Sequence, residues 1–191
     1  MKDTIHSNEA GKSSFDKIDT EKVFKALDLK KDSVFLDVGC GRGDYLLAAA
    51  DYIGDKGFFY AIDKWEEGIS KLKERADRKK IKNLVAVVGD ISKTIPFENN
   101  SVDICLMAAV LHGLLRDKVQ DITIRELKRV LKRSGRLAII EWKKISGPPG
   151  PPIGIRVSWK EVTKFLEPYG FEIIKKLDVG KNFFLALFKQ R

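Results

Sequence analysis

Glycine stands at positions 39, 41 and 43, and an acidic residue, Asp37, lies two positions before the first of them. Apolar, β-favouring residues flank Asp37 and helix formers follow the glycines, which predicts a strand, a tight turn and a helix. Such a turn directs backbone N–H groups and a helix N-terminus at a ligand. Glycine suits it because glycine adopts positive φ angles and places no Cβ between backbone and ligand. The segment is therefore predicted to bind a nucleotide-like ligand.

The glycine spacing and the acid narrow the class of ligand. A dinucleotide fingerprint reads G-x-G-x-x-G, but here the third glycine comes one residue early and Asp44 occupies its place. A carboxylate at Asp37 would repel a pyrophosphate and attract an ammonium group. The pattern favours a ligand with a cationic end, although an ordinary tight turn or another nucleotide site stays open as an alternative.

Two further acids follow the next two predicted strands. Asp63 ends the apolar run that begins at Phe58, at close to the roughly 20-residue separation expected for an acid that binds ribose hydroxyls. Asp90 follows the run 84–88. Each acid alone could be a helix N-cap. Because ligands of parallel sheets bind at the carboxyl ends of the strands, three acids in succession favour one shared ligand.

These motifs resemble the class I S-adenosylmethionine-dependent methyltransferases, whose first motif reads acidic-x-G-x-G-x-G. The resemblance covers roughly residues 33–143. The segments SVDICLMAAVLHGL and ELKRVLKRSGRLAIIEWKK are similar to the small-molecule branch, methyltransferase type 11, which includes ubiquinone- and menaquinone-type and arsenite enzymes. The turn 132–135 reads Lys-Arg-Ser-Gly where that branch usually has Lys-Pro-Gly-Gly. A helix stop is retained there, so the expected fold is unaffected.

The resemblance implies S-adenosylmethionine as the cofactor and assigns residues to it. Asp63 would hold the ribose hydroxyls, Asp90 would accept from the adenine amino group with Ile91 beside the ring, and Asp37 would lie near the methionine amino group. The remaining implied cofactor contacts are Gly39, Cys40, Gly41, Lys64 and Met107.

Methyl transfer from a sulfonium is an in-line displacement, so the protein chiefly aligns donor and acceptor and excludes water. A general base is needed only if the acceptor loses a proton early. The candidates are His112, Glu141 and Tyr45, and His112 is preferred because it follows the fourth strand and imidazole titrates near neutral pH. A packing or helix-start histidine is the alternative interpretation.

The sequence disfavours several acceptors. No Asn/Asp-Pro-Pro-aromatic motif follows the fourth strand, Cys105 lacks a preceding proline, a single glutamate ends the fifth strand, and two internal cysteines do not suit arsenite. A small apolar or aromatic acceptor is expected. The loop 146–157 is expected to shape its pocket, with Arg156 and Trp159 as anionic and aromatic contacts.

The elements that position these residues alternate as strand and helix. Continuous apolar strands separated by helices predict a parallel sheet covered on both faces, with 84–88 as a buried strand. A helix over 116–132 is expected to place Val119 and Ile122 on its apolar face. The connection 178–182 is too short for a parallel crossover, so the last strand should be antiparallel. The predicted fold is a three-layer, Rossmann-like α/β methyltransferase fold with seven strands.

Composition sets the remaining bounds. The 191 residues and 43% hydrophobic content suit one domain, predicted over 17–191, preceded by a flexible tail or cofactor lid at 1–16. Two cysteines make neither a disulfide framework nor a zinc cluster, so no metal is expected. The N-terminus lacks an apolar signal-peptide core, which favours the cytoplasm. The abundance of Lys and Glu fits a thermophile surface.

The net charge of +9 leaves a second class of target open. Lysine and arginine crowd into 71–82 and 128–136, but no aromatic residue is interleaved in either run, so a solvated helix face is preferred. The alternatives to a small-molecule enzyme are an RNA- or ribosome-directed methyltransferase, a non-enzymatic module that binds the cofactor, and an NAD-linked oxidoreductase.

Overall fold

The computed structural model describes residues 13–147 and 149–191. Seven strands form one sheet in the order β3-β2-β1-β4-β5-β7-β6. Strands β1 to β5 are parallel, and β7 is antiparallel to both of its neighbours, β5 and β6. The predicted α/β sheet with one antiparallel C-terminal strand is therefore confirmed. The strands are β1 Val34–Val38, β2 Phe58–Asp63, β3 Leu84–Val88, β4 Val102–Ala108, β5 Leu131–Trp142, β6 Phe171–Asp178 and β7 Phe183–Gln190.

Helices cover both faces of the sheet. Those on one face are α1 Thr20–Leu27, α2 Asp44–Ile53 and α3 Glu66–Arg78; those on the other are α4 Leu111–Asp117, α5 Gln120–Val130 and α6 Trp159–Leu166. Each face buries its own apolar cluster against the strands. The result is a three-layer domain, because a sheet with two apolar faces must be covered on both.

Side-chain caps fix several helix ends. Asp19 accepts a hydrogen bond from the Lys22 backbone N–H and so caps the start of α1. Ser158 and Glu161 form a reciprocal capping box at the start of α6. A 3₁₀ turn, Glu167–Tyr169, extends α6, and Gly170 ends it in the left-handed conformation at φ 83°.

The helix expected over 116–132 is wrong in two respects. Lys118 adopts a left-handed φ of 57° that ends α4, and a separate helix α5 runs only to Val130 before β5 begins. Val119 and Ile122 are 37% and 53% exposed instead of lying on the apolar face. The buried face of α5 consists of Thr123, Ile124, Leu127 and Val130.

The third strand is also less buried than its apolar sequence predicts. It lies at the edge of the sheet, where Val85 is 40% and Val88 is 53% exposed, and Ala86 is the member of this strand that is buried. An edge strand has a neighbour on one side only, so an apolar run does not guarantee burial there. Within the described residues, no helix is long and apolar enough to cross a membrane.

Candidate functional site

The glycine loop connects β1 to α2 and all three of its glycines have positive φ angles, 71°, 54° and 78° at Gly39, Gly41 and Gly43. A Cβ at Gly39 would lie 2.6 Å from Val110, and one at Gly43 would lie 2.3 Å from Leu72 of α3. A Cβ at Gly41 would have no described atom within 4 Å. Two glycines are thus needed for close packing, and the middle one leaves open space beside its backbone.

Asp44 occupies the place where a dinucleotide fingerprint has its third glycine. Its buried carboxylate accepts hydrogen bonds from Arg42 Nε at 3.0 Å and Arg75 Nη1 at 2.7 Å. Arg75 also donates to the Arg42 carbonyl. Burial opposes ionisation of Asp44, but the two guanidinium groups outweigh it and the pKa is lowered. This ionised acid braces the loop against α3.

Asp37 is buried in β1 with 1% exposure. Its Oδ2 atom has no hydrogen-bond partner among the described residues. Burial, and then the nearby Asp63 carboxylate, raise the pKa of Asp37 to about 8. A buried carboxyl oxygen without a partner costs free energy, and a cationic group placed beside it would restore both a hydrogen bond and a charge partner.

Asp63 lies at the carboxyl end of β2 and holds the glycine loop in place. One carboxylate oxygen accepts from the Gly41 backbone N–H at 2.7 Å, and the other accepts from the Trp65 N–H at 2.8 Å. Each oxygen keeps a second lone pair that could accept from a hydroxyl. The residue therefore both shapes the loop and could bind a diol beside it.

Asp90 follows the third strand and forms a local turn. Its Oδ1 accepts from the Ser92 N–H at 2.9 Å and from the Ser92 hydroxyl at 2.7 Å. Desolvation by neighbouring atoms would raise the pKa of Asp90, but the hydrogen bonds from Ser92 outweigh it and the pKa is lowered. Its other oxygen can accept from a ligand amino group.

One cavity of about 380 Å³ brings most of the predicted residues together at the carboxyl edge of the sheet. We call it the main cavity. It is lined by Gly39, Asp63, Lys64, Gly89, Asp90, Ile91, Ser92, Ala109, Val110, His112, Gly113, Leu114, Arg116, Asp117 and Val119.

A second cavity of about 50 Å³ shares Gly39 with the main cavity and extends to Asp37. It is lined by Ser13, Ser14, Asp37, Gly39, Cys40, Gly41, Arg42, Asp44, Tyr45 and Ala108. Burial raises the pKa of the Cys40 thiol, so this cysteine lines the cavity as an uncharged thiol and is not a nucleophile. We call this the small cavity.

His112 and Glu141 form a buried pair, here called the dyad, beside the main cavity. Nδ1 of His112 lies 3.0 and 2.9 Å from the two carboxylate oxygens of Glu141. The His112 backbone N–H donates to Glu141 Oε1 at 3.1 Å, and the Trp142 N–H donates to Oε2 at 3.2 Å. Glu141 is fully buried and His112 is 6% exposed. Two of the three candidate bases, His112 and Glu141, are thus hydrogen-bonded to each other.

The third candidate base, Tyr45, lies apart from the dyad. Its hydroxyl lies 2.7 Å from the Ser14 hydroxyl, and its ring packs edge-on against Phe15. Burial raises the pKa of the Tyr45 phenol, which keeps it protonated at neutral pH. It therefore anchors the segment 13–17 beside the small cavity. The rest of the predicted tail, 1–12, lies outside the described residues.

Met107 is a correction. It is fully buried in the apolar cluster beneath α4, α5 and α6, and it lines neither cavity. Ala108, Ala109 and Val110, the next three residues, line the cavities instead. Successive side chains of a strand point to opposite faces of the sheet. The prediction was right that the site lies at the end of β4, but wrong that the Met107 side chain faces it.

Arg156 is a second correction. It is 4% exposed, and all of its N–H groups point at backbone carbonyls, so it cannot contact an anionic acceptor. None of the described residues of the loop 146–157 lines either cavity, and Trp159 packs against the second apolar cluster. The carbonyl acceptors of Arg156 are those of Lys143, Ile145, Gly147, Pro149 and Pro151, at 2.8–3.4 Å.

Sequence reasoning named His112 but missed the other residues that α4 contributes to the site. Gly113, Leu114, Arg116 and Asp117 also line the main cavity. The spacing of His112 and Arg116, four residues apart on a helix, places them on one face and could have revealed the others. This spacing was not recognised because the predicted helix began at residue 116, after His112, whereas α4 begins at Leu111.

The residues present fit S-adenosylmethionine, the cofactor that the resemblance implies. The partnerless oxygen of Asp37 offers a place for an ammonium group, the open side of Gly41 admits a ligand backbone, and Asp63 can accept from a diol. Asp90 and Ile91 line the main cavity where the chain leaves β3. No group of three or more described His, Cys, Asp or Glu side chains is arranged to hold a metal ion.

A separate surface feature lies between the C-terminal parts of α5 and α6. This basic cleft, of about 430 Å³, is lined by Arg125, Lys128, Lys164, Phe165, Pro168 and Tyr169. The Arg125 guanidinium lies 5.7 Å from the centre of the Tyr169 ring. The tertiary structure therefore brings aromatic rings to basic residues that the sequence keeps apart.

Known proteins resemble this chain over the regions just described. Residues 29–150 match the family described as "Methyltransferase domain". The crystal structure of a SAM dependent methyltransferase from Aquifex aeolicus is similar at 34% identity, with a TM-score of 0.82 and 95% of each chain covered.

Curated relatives are similar over part of their length. A 2-phytyl-1,4-naphtoquinone methyltransferase of Nostoc punctiforme is 30% identical over 119 residues, which cover 62% of this chain and 50% of the relative. A demethylmenaquinone methyltransferase of Staphylococcus carnosus is 31% identical over 125 residues, or 65% and 49%. The chain spans about half the length of the curated relatives it matches.

Proposed function

The chain belongs to the methyltransferase domain family, among the S-adenosylmethionine-dependent methyltransferases, and we propose that it transfers a methyl group to a small, quinone-derived aromatic acceptor. One observation carries the proposal. The glycine loop, Asp63, Asp90 and His112 meet at two adjoining cavities, beside a buried Asp37 oxygen that has no described partner. The candidate cofactor contacts and a candidate base lie at the same edge of the sheet, which supports the proposal.

The cofactor would occupy both cavities. Asp37 would face its ammonium group, Asp63 its ribose hydroxyls, and Asp90 with Ile91 its adenine. The backbone of 39–41 would lie along it, with Cys40 as a wall and Lys64 at the ribose end. When bound, S-adenosylmethionine supplies a methyl group on a sulfonium, a leaving group that needs no protonation. The chain's own task is then to align the acceptor and exclude water.

The acceptor class follows from the relatives and from charge. The curated relatives are named for a naphthoquinone and for demethylmenaquinone. A sulfonium methyl group is electron-poor and requires an electron-rich acceptor atom, whereas a quinone ring is electron-poor. We therefore propose the reduced hydroquinone as the reacting form. Val110, Leu114 and Val119 supply an apolar lining for its ring, with His112 as the catalytic base for its hydroxyl proton.

The segment before α1 is proposed to close the methionine end of the site. Ser13 and Ser14 line the small cavity, and Ser14 and Phe15 are held by Tyr45. This supports a domain over 17–191 with a cofactor wall contributed by the residues before it. The cytoplasmic location and the thermophile-type surface stay predictions from composition.

An RNA acceptor is the second candidate, because the basic cleft combines three cations with two aromatic rings. Base stacking on such rings and phosphate contacts from such cations are the usual means of binding single strands. The cleft lies towards the C-terminus of α5, about two helical turns from Val119 at the main cavity. That separation favours the small-molecule acceptor.

The test is a methyl-transfer assay with labelled S-adenosylmethionine. Methyl transfer to 1,4-naphthohydroquinone, and none to the oxidised quinone or to bulk RNA, is the expected result. Calorimetry should show binding of S-adenosylhomocysteine and not of NAD. Binding of NAD alone would refute the cofactor, and transfer to RNA with a steep salt dependence would establish the second candidate.

A further inference from the structure

S-adenosylmethionine ends in an α-amino acid, which carries a carboxylate beside its ammonium group. The three acids of the site suit the ammonium, ribose and adenine groups, and an ionised acid repels a second carboxylate. The cofactor carboxylate therefore requires donors from other residues. Because it is attached to the same carbon as the ammonium group, those donors must lie in the small cavity, close to Asp37.

Ser14 and Tyr45 bring two buried hydroxyl groups together in the wall of the small cavity. We call them the hydroxyl pair. Their oxygens lie 2.7 Å apart. Each hydroxyl carries one hydrogen, and the bond between them uses only one of the two. Neither oxygen makes a hydrogen bond to another residue in 13–147 or 149–191, so the second hydrogen has no acceptor there.

Packing holds the hydroxyl pair in this position. The Tyr45 ring belongs to α2 and packs edge-on against Phe15, with the ring centres 5.2 Å apart. Phe15 follows Ser14 directly, so the same contact keeps the Ser14 hydroxyl against α2. The spare hydroxyl hydrogen is therefore placed by two elements that are distant in the sequence.

Arg42 supplies a cation at the same cavity. Its Nε donates to Asp44 at 3.0 Å, which sets the direction of the guanidinium group. A guanidinium has five N–H donors, so four remain on the two Nη atoms. Those four make no hydrogen bond within the described part of the chain. They are available to a second anion beside Asp44.

We propose that the small cavity binds the amino acid end of the cofactor as a zwitterion, with Arg42 and the hydroxyl pair donating to its carboxylate. Among the described residues of its wall, Oδ2 of Asp37 lacks a donor and one hydroxyl hydrogen lacks an acceptor. An α-amino acid supplies both missing partners through groups on a single carbon atom. The inference requires the cofactor and is independent of the acceptor proposed above.

This arrangement determines which derivatives of the cofactor the chain accepts. A ligand without the carboxylate leaves a buried hydroxyl hydrogen unpaired, which costs binding free energy. A site that hydrogen-bonds a group rejects an analogue lacking that group far more strongly than an apolar pocket rejects a missing methylene. The small cavity should therefore exclude a decarboxylated cofactor that keeps the amino, ribose and adenine groups.

The test is calorimetry with S-adenosylhomocysteine and its decarboxylated analogue, in which hydrogen replaces the carboxylate. The wild type should bind the analogue about 10–100-fold more weakly, as expected for hydrogen bonds to a charged group. The double variant Ser14→Ala/Tyr45→Phe should bind S-adenosylhomocysteine about 10-fold more weakly. Its affinity for the analogue should change by less than about twofold.

Arg42→Met should have a smaller effect on the same measurement. The Arg42 side chain is 44% exposed, so solvent screens its charge. S-adenosylhomocysteine should bind about twofold to fivefold more weakly, and the analogue should again be unaffected. Arg42→Lys keeps the charge and should recover part of the loss.

Arg75→Met is the matched control, because Arg75 also donates to Asp44 but does not line the small cavity. It should weaken both ligands by the same factor and leave the ratio of their affinities unchanged. Asp37→Asn should also weaken both, since both ligands carry the amino group. The ratio thus reports recognition of the carboxylate alone.

Equal affinity of the wild type for the two ligands would overturn the proposal. Equal losses for both ligands in the double variant and in Arg42→Met would also overturn it, because these side chains would then only support the fold. If thermal unfolding shows that the double variant does not fold, the wild-type ratio and Arg42→Met still decide. Absence of transfer to 1,4-naphthohydroquinone would contradict the proposed function and leave these binding constants unaffected.

Discussion

Two buried ionisable groups, Asp37 in the glycine-loop region and Arg156 in the proline-rich loop, differ in whether the chain satisfies their hydrogen bonds. Arg156 is surrounded by five backbone carbonyls, and its guanidinium also lies 5.5 Å from the centre of the Trp142 ring. Asp37 is as deeply buried, but its Oδ2 has no described partner. The chain supplies every hydrogen-bond partner of the Arg156 guanidinium, whereas no described residue bonds to Oδ2 of Asp37.

This difference distinguishes a residue that stabilises the fold, Arg156, from a residue suited to bind a ligand, Asp37. A buried charge whose hydrogen bonds are all made by the chain stabilises the fold, and a ligand has nothing to add. A buried carboxyl left without a partner is destabilising by itself, and it persists where a ligand supplies the missing contact. Four substitutions can test this comparison, and their expected effects decrease in the order given.

Arg156→Met should lower the free energy of unfolding by about 3 kcal/mol, because it leaves several buried carbonyls without donors. Denaturant unfolding measures this. S-adenosylhomocysteine affinity should remain within about twofold, since Arg156 and the other described residues of the proline-rich loop line neither cavity. Arg133→Met, at an exposed arginine, is the control and should change stability by less than about 0.5 kcal/mol. A large loss of affinity in Arg156→Met would break the comparison.

Asp37→Asn should weaken S-adenosylhomocysteine binding by about 2–3 kcal/mol, the usual cost of a charge-assisted hydrogen bond. The wild-type carboxyl, with its pKa raised to about 8, is protonated at pH 7. An ammonium ligand should ionise it, so binding should release nearly one proton. Calorimetry in two buffers of different ionisation enthalpy measures that proton, and Asp37→Asn should release none.

The same residue predicts a pH dependence of stability without ligand. The pKa of Asp37 is raised in the folded protein to about 8, above about 3.9 in the unfolded chain. Its contribution is therefore fully present below pH 4 and is lost as pH rises towards and through 8. Asp37→Asn should gain stability relative to the wild type over that window. Equal pH slopes in both proteins would show that Asp37 is ionised in the free protein.

Asp63→Ala should weaken S-adenosylhomocysteine binding by about 1–3 kcal/mol, through lost ribose contacts and a loosened glycine loop. Comparison with the 2′-deoxyribose analogue separates the two causes. If Asp63 binds the hydroxyl, the analogue should lose little further affinity in the variant. Equal losses from the analogue in both proteins would restrict Asp63 to its bonds with Gly41 and Trp65.

Asp90→Asn should have the smallest effect, about 1 kcal/mol or less, because this side chain is exposed. The variant should lose preference for adenine over hypoxanthine, whose ring bears a carbonyl in place of the amino group. Competition between S-adenosylhomocysteine and its inosine analogue measures that preference. An undiminished preference would remove Asp90 from the base contact.

Much of the fold was predictable because its signals are local. The apolar runs at β1, β2 and β4 and the short 178–182 connection specify strands and one antiparallel pair without knowledge of the rest. Local signals failed at Lys118, where a left-handed residue divides one expected helix into two. They also failed for β3, since an apolar run does not reveal its place at the sheet edge.

The residues of the candidate site also fall into two groups, those that the sequence could locate and those that it could not. The glycine loop, Asp37, Asp63 and Asp90 could be located because residues at the ends of successive parallel strands must meet at one edge. The sequence could not show which face Met107 occupies, that Arg156 is enclosed by carbonyls, or that the basic cleft gains two aromatic rings. Those outcomes depend on packing between distant segments.

The sequence alone determined the fold class, the glycine loop and the three acids, because spacing along one chain governs backbone geometry and strand ends. The tertiary structure alone decided that one carboxyl oxygen of Asp37 has no described partner, that Arg156 is fully satisfied, and that Glu141 contacts His112. Whether a buried charge is satisfied depends on atoms brought from other elements to within about 3 Å, and linear spacing does not specify that distance.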